Sequence, residues 1–401
     1  MEWLDRIEPV FSFTFHHSLE IFLGIGLGVQ ALGALSMIRF YFKRPRPLPL
    51  LKDYPGITII KPCYGINENE EENFLHFFLQ KYAGPIQLLF VVSNEGDPVV
   101  PVIKNYLRQF PDFDAELVIS RTRTSFRRKV DALFDGHALA KHDFILWSDS
   151  DVIVRENYIE QVVASLLEPG VAIVTTPQYD LGVNNFTSAL KVMANNCDIG
   201  TYITLDDWIS SEKKYAWGHS LAFRLKEFKE IEVEAWDIMN RFLADDQSLP
   251  FLYNKYHKKT VIKNIYCPVH CGKKTWKEMI TQRERWAVCQ RLVFPNRFVY
   301  LFLLLFYPQI SATLLLFHHH FDSWSVLIFF SVAAFKILIS FQFELLFLRS
   351  ARMTTRYFWT ICLADLMQIY FFTHAFLSRS IQFHGKKYRV KDRYFIEEIT
   401  N

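Results

Sequence analysis

The sequence lacks the cysteine pattern of a disulfide framework. Its six cysteines stand at positions 63, 197, 267, 271, 289 and 362, too scattered to staple a small domain, and they read as reduced thiols of a cytosol-facing protein. It also lacks an excess of charge. Lys+Arg 45 against Asp+Glu 42 leaves no overall electrostatic footprint for nucleic acid, and no such partner is expected. No internal repeat and no low-complexity linker interrupts the 401 residues. Only Arg44-Pro-Arg-Pro-Leu-Pro49 stands out as a short stiff connector. The first apolar run has no A-x-A site after it and the wrong flanking charges for a cleaved leader, which argues against a signal peptide.

Apolar residues are plentiful. Half of the chain is hydrophobic and 38 residues are Phe, a composition that suits membrane contact. Ile21 to Ile38 carries no charge and is just long enough to cross a hydrocarbon core. Glu2, Asp5 and Glu8 precede it, whereas Arg39, Lys43, Arg44, Arg46 and Lys52 follow, so the rule of positive loops inside puts the chain after Arg39 in the cytosol. Gly24, Gly26 and Gly28 follow no strand and read as a helix-packing face, not a nucleotide loop.

Three further apolar runs are Phe298 to Phe317, Trp324 to Leu348 and Tyr357 to Leu377. Lys336, Glu344, Asp365 and His374 lie within them and are expected to pair with one another inside a bundle. Three crossings would leave the basic tail outside, yet that tail and Arg349, Arg352 and Arg356 all favour the cytosol, so one run is expected to be re-entrant or interfacial. His318-His319-His320, on a short loop, has poor chelating geometry.

Between the membrane segments, short β-branched runs alternate with helical stretches. ITIIKP (57–62), IQLLFVV (86–92), AELVIS (115–120), FILWSDSD (144–151) and VAIVTT (171–176) read as strands, with helices near 69–82, 99–109, 129–140 and 158–167. This pattern predicts an α/β domain built on a parallel sheet covered on both faces. Ligands of such sheets gather at the carboxyl ends of strands, where Asp149 and Asp151 fall. Strand alternation would point the two carboxylates the same way, and they would repel unless a cation or polar ligand lay between them. Two more motifs follow: Ala244-Asp245-Asp246, and Gln282-Arg-Glu-Arg-Trp286 after Lys273, Lys274 and Lys277. On a helix, Gln282, Arg285 and Trp286 share one face, and an Arg beside a flat aromatic can hold a phosphate.

That ordered set, D-x-D, then acid-acid, then Q-x-x-R-W, then membrane helices, resembles the inverting GT-A glycosyltransferases. Within them it is most similar to ceramide glucosyltransferase and its bacterial relatives. Lys61-Pro62, Gly96-Asp97-Pro98, and Lys129 with Leu133 add to the likeness, which covers Arg39 to about Arg389. The resemblance implies a GT-A (nucleotide-diphospho-sugar transferase) domain with a mixed, mostly parallel sheet and transmembrane helices at both ends. Its segments would be an anchor over 1–46, a cytosolic catalytic domain over 47–296, membrane helices over 297–380 and a basic tail over 381–401. It further implies transfer of a hexose, glucose by the closest likeness, from a UDP-sugar to a ceramide-like lipid hydroxyl in the bilayer. The membrane would be a bacterial inner membrane, or the ER or Golgi in a eukaryote. A hopanoid or diacylglycerol acceptor, N-acetylglucosamine transfer, and a non-catalytic scaffold are the alternatives.

By the same resemblance, Asp149 and Asp151 would hold a divalent cation, Mn2+ or Mg2+. Asp246 would be the general base, with Asp245 its rival. Gln282, Arg285 and Trp286 would close over the diphosphate, and Lys61, Lys129, Asp149 and His270 would lie at the donor. The family carries an aspartate just after the second strand; here Val92-Ser-Asn-Glu-Gly-Asp97 offers only Glu95 or Asp97 in its place. Cys267, His270 and Cys271 lack a fourth ligand for a zinc site.

Overall fold

The computed structural model describes residues 2–66, 70–122, 127–210, 216–242, 244–293, 306–383, 386–391 and 396–399. The chain divides into two compact units, each assembled from separated stretches. One comprises Met1–Arg39, Val183–Trp208 and Lys273–Gly385; the other comprises Phe40–Gly182, Ile209–Gly272 and Lys386–Asn401.

The second unit is built on strands β1 (Ile57–Cys63), β2 (Ile86–Val92), β3 (Ala115–Ile119), β4 (Phe144–Ser148) and β5 (Val171–Thr175). The short β6 (Asp180–Leu181), β7 (Ser220–Arg224), β8 (Lys259–Ile262) and the short β9 (Val269–His270) complete its central strands. Seven of them form one sheet in the order β3-β2-β1-β4-β7-β5-β8. Only β7 runs antiparallel to its neighbours, pairing Ser148 with Ser220 on one side and Thr175 with Leu221 on the other. The mixed, mostly parallel sheet expected from the sequence is present. β4 and β5 are buried along their whole length, as strands covered on both faces must be.

Two cores flank this sheet. One packs Phe74, Phe77, Phe90, Tyr158 and Ile159 from strands and helices α2 (Glu70–Phe78), α3 (Val99–Gln109) and α5 (Tyr158–Leu166). The opposite core gathers Ile60, Trp147, Phe223, Phe228 and Trp236 against α4 (Arg128–Ala138), α7 (Leu225–Lys229), α8 (Glu232–Arg241) and α9 (Asp245–Lys255). His137 sits inside this second core. The Trp147 Nε1–H donates to its Nε2 at 2.8 Å, and burial holds the imidazole neutral by lowering its pKa to about 3.

The first unit contains α1 (Glu2–Phe42), α6 (Phe186–Ile209), α10 (Trp276–Val293), α11 (Tyr307–His318) and α12 (Ser323–Phe343), which continues as one π turn to Leu348. The short α13 (Arg352–Tyr357), α14 (Trp359–Leu377) and strand β10 (Ser380–Phe383) follow. Three described segments are long and apolar enough to cross a membrane: His17–Phe42, Ser323–Leu348 and Trp359–Leu377. Of the run expected from Phe298 to Phe317, residues 298–305 lie outside the described set, and the remainder from Tyr307 falls in α11. Of the α1 glycines expected to pack, Gly26 is buried but Gly24 and Gly28 face open space. A Cβ on Gly33 would lie 2.1 Å from Thr201 Cγ2, so the close approach to α6 is at Gly33. Ser36 Oγ and Thr204 Oγ1 share a buried hydrogen bond of 2.7 Å beside it.

The tail strands β11 (Lys386–Val390) and β12 (Ile396–Glu398) pair antiparallel and belong to the unit that holds the large sheet.

Candidate active site

The acidic stretch after β4 is a turn, not the strand end that alternation suggested. β4 stops at Ser148, and Asp149, Ser150 and Asp151 lie beyond its last strand residue. Asp and Ser favour such a break because their short polar side chains suit turns. The parity argument for the two carboxylates therefore fails, and tertiary hydrogen bonds fix the loop instead. The Asp149 N–H donates to His219 O at 3.2 Å, and the Lys61 ammonium donates to Asp149 O at 2.7 Å. The His270 N–H donates to Asp151 O at 2.9 Å, and the Ile153 N–H to Pro268 O at 2.8 Å. With the backbone held from below, both carboxylates are half-buried side chains at the sheet's carboxyl edge.

Lys61, expected at the donor, is instead wholly buried beneath this loop. Its ammonium also donates to Ser148 Oγ at 3.2 Å and lies 3.8 Å from the Phe77 ring centroid. Burial lowers its pKa to about 8, partly offset by neighbouring Cys63, Cys267, Asp149 and Asp151.

Lys129 on α4 reaches across to the Asp149 carboxylate at 2.5 Å and donates to Gly218 O at 3.2 Å. The Gly218 N–H in turn donates to Asp246 Oδ2 at 3.2 Å. One side-chain amine and the backbone of one glycine thus join the D-x-D loop to the second acidic motif. Asp246 is the second residue of α9, where the start of a helix favours a negative charge. Asp245 opens the same helix, but its side chain lies outside the described set. Gln247 Nε2 fastens the turn from the other side by donating to Ala216 O at 2.6 Å.

The turn at Gly218 matters for the space it leaves: a Cβ there would meet Asp246 Cβ at 2.9 Å and Lys129 Nζ at 3.2 Å. His219 is buried with Nε2 3.1 Å from Thr176 Oγ1, and burial, with Lys129 nearby, lowers its pKa to about 3.

Asp97 departs from the donor role anticipated for it. Its carboxylate accepts the Gly65 N–H through both oxygens, at 3.0 and 3.2 Å, and the Val99 N–H at 3.0 Å, so it holds the first N–H of α3 and ties down the loop after β1. Glu95 is exposed nearby. His270 packs against Gly182, whose φ is +78° and whose absent Cβ would otherwise sit 2.4 Å from His270 Nε2. Gln282, Arg285 and Trp286 are half-buried on α10, in the other unit, with Lys191 Nζ 5.8 Å from the Trp286 ring centroid.

Carboxylate oxygens are the ligands that Mg2+ and Mn2+ take, and one or two of them suffice when a diphosphate supplies the rest. Asp149 and Asp151 fit that requirement, and Lys129 already places a positive charge on Asp149. Among the described residues no three metal-ligating side chains gather, so the donor's own oxygens would have to complete such a site.

Comparison with known proteins gives three findings. The sequence profile of glycosyl transferase family 21 matches residues 21–396. A ceramide glucosyltransferase from Caenorhabditis elegans is 28% identical over 140 residues, 35% of this chain and 30% of that protein. One from Candida albicans is 32% identical over 124 residues, 28% of this chain and 23% of that protein. The matches thus span less than a third of these curated relatives. Among solved structures, a mannosyltransferase from Pyrobaculum calidifontis in complex with GDP-Man and Mn2+ aligns over 86% of this chain and 99% of its own, with TM-score 0.48 and 15% identity.

Gly218→Ala will force Asp246 and Lys129 apart. Turnover is expected to fall by about tenfold or more, as for a misplaced reacting group, with the fold intact by thermal denaturation. Unchanged turnover would show that this turn does not position Asp246. Lys61 predicts a pH effect of defined sign. Its folded pKa of about 8 lies below the unfolded value of 10.5, so stability rises between those values as pH rises. Activity should move the other way, declining above about pH 8 as the ammonium that holds the Asp149 carbonyl is lost. Lys61→Met should lower turnover at pH 7 and flatten this alkaline limb; a limb that persists unchanged in the variant belongs to another group.

Proposed function

Because the chain belongs to glycosyl transferase family 21, we propose that it transfers glucose from UDP-glucose to the primary hydroxyl of a ceramide-like membrane lipid, with inversion at the sugar. The observation that carries this reading is the linked set Asp149–Lys129–Gly218–Asp246, which ties a diphosphate-side acid to a candidate base. The names of the curated relatives, ceramide glucosyltransferases, support glucose and ceramide.

A divalent cation held by Asp149, Asp151 and the donor would neutralise charge growing on the departing diphosphate. The chain's own residues do the rest. Lys129 adds positive charge beside Asp149. Gln282, Arg285 and Trp286 bind the diphosphate, Arg285 through paired N–H groups. Asp246 accepts the proton of the attacking lipid hydroxyl, which near pH 7 is otherwise a poor nucleophile. Attack opposite the diphosphate inverts the anomeric centre, and a single carboxylate suffices as base because the leaving group is already activated.

The three apolar helices support activity at a bilayer, and the basic residues after Phe42 support a sheet-bearing unit on the cytosolic side. The tail strands β11 and β12 belong to the same unit as the large sheet, which supports an even number of crossings between them, with one of the three C-terminal apolar runs not crossing.

Membranes containing the protein, given labelled UDP-glucose with manganese, should yield a labelled glycosylceramide that disappears with chelator. Asp246→Asn should reduce product by about a thousandfold while UDP binding persists; equal loss of both would remove Asp246 from the role of base. A labelled hopanoid or diacylglycerol would replace ceramide as acceptor, and label only from UDP-N-acetylglucosamine would replace glucose. For the topology, a reporter fused after Asn401 should be protected in sealed inside-in vesicles together with one inserted between β2 and α3. Opposite protection would require an odd number of crossings.

A further inference from the structure

The two intervening residues of the Q-x-x-R-W stretch are both committed to other helices of the same unit. Arg283 Nη1 donates to Asn195 Oδ1 of α6 at 2.5 Å, and its guanidinium lies 5.8 Å from the Phe371 ring centroid of α14. Glu284 accepts the Tyr370 hydroxyl of α14 and lies 3.5 Å from His374 Nδ1 on the next turn. Gln282, Arg285 and Trp286 are left on the remaining arc of α10.

Beneath this contact lies a buried ionic group drawn from three helices. Lys336 of α12 is 3% exposed; its ammonium bonds Asp365 of α14, 1% exposed, and lies 3.1 Å from Asp198 of α6, 7% exposed. Asp198 follows Asn195 by three residues and so shares its helix face. Among the described residues, two acidic side chains face one ammonium at this buried position. Arg283 reaches the same face of α6 through Asn195, one turn from Asp198. Counting it, the described residues set two basic side chains against two acidic ones. Buried charges are tolerated only when matched in this way, and removing one member leaves another uncompensated.

We propose that Arg283 and Glu284 are positioning residues that key the diphosphate-binding face of α10 to the apolar helices, and that Arg283 completes a neutral set with Asp198, Lys336 and Asp365. The proposal rests on the reading above, in which Gln282, Arg285 and Trp286 act at the donor diphosphate. Asp198 and Asp365 are thereby assigned to charge balance and not to the chemistry. The ionic group sets the register of α6 against α12 and α14, and Arg283 transmits that register to the motif.

The test is a charge-balance cycle on the full chain purified in detergent, read by UDP titration with manganese and by thermal midpoint. Arg283→Gln should weaken UDP binding about tenfold and lower the midpoint. Arg283→Lys, which keeps the charge, and Arg283→Gln with Asp198→Asn, which restores neutrality, should each return UDP binding to within about threefold of the parent. A simple loss of folded protein would change the active fraction and leave the dissociation constant alone. If Arg283→Gln cannot be recovered folded while the double variant can, the charge balance is likewise upheld. Parent-like behaviour of Arg283→Gln, or a double variant no better than the single, would overturn the proposal. Should the parent itself bind no UDP, the donor reading fails, and the midpoints alone still decide the charge set.

Discussion

The carboxyl edge of the sheet depends on an ammonium wholly buried beneath it. Lys61 carries its ammonium under the D-x-D loop, and three partners hold it there: a hydroxyl, a peptide carbonyl and the face of Phe77. A buried lysine is costly unless its charge is well spent. Here it holds the backbone of Asp149, so that the side chain is left for another charge. Its pKa, lowered to about 8, reflects a burial cost that the neighbouring anions only partly offset. The remaining contacts of the site, Lys129 on the carboxylate and His219 on the peptide N–H, build on a loop that this buried ammonium has already set.

Much of the fold was legible because burial on both faces of a sheet leaves a plain trace. The runs at 57, 86, 115, 144 and 171 all became strands, and the helix predicted over 99–109 has those bounds. What the sequence concealed was direction and ending. Ser220–Arg224 is antiparallel between two parallel strands, and its short run SLAFR says nothing about which way it enters. The end of β4 was misplaced because alternation was carried into a turn, where the contacts that fix Asp149 come from residues 88 and 70 positions away.

The site was legible as residue types and less so as roles. Asp149, Lys129 and Asp246 are drawn into one connected set through Gly218, a residue whose importance lies in an absent side chain. Pattern reading ranks charged groups and passes over such gaps. Asp97 illustrates the converse: an acid at the right place in the sequence spends both oxygens on backbone amides. Lys61 acts on the loop's backbone from below, a role that its position after the first strand does not distinguish from direct contact with a ligand.

The interleaving of the two units has a consequence for biosynthesis. The chain leaves the sheet-bearing unit after Gly182, returns at Ile209, leaves again after Gly272 and comes back only at Lys386. No single cut yields that unit as a contiguous fragment, and a ribosome cannot finish it before every apolar helix has been made. Completion of that unit therefore waits on synthesis of every apolar helix. A chain released before Lys386 would already carry all seven strands of the large sheet, the last ending at Ile262, yet would lack tail strands β11 and β12, so the sheet can form while its unit is still unfinished.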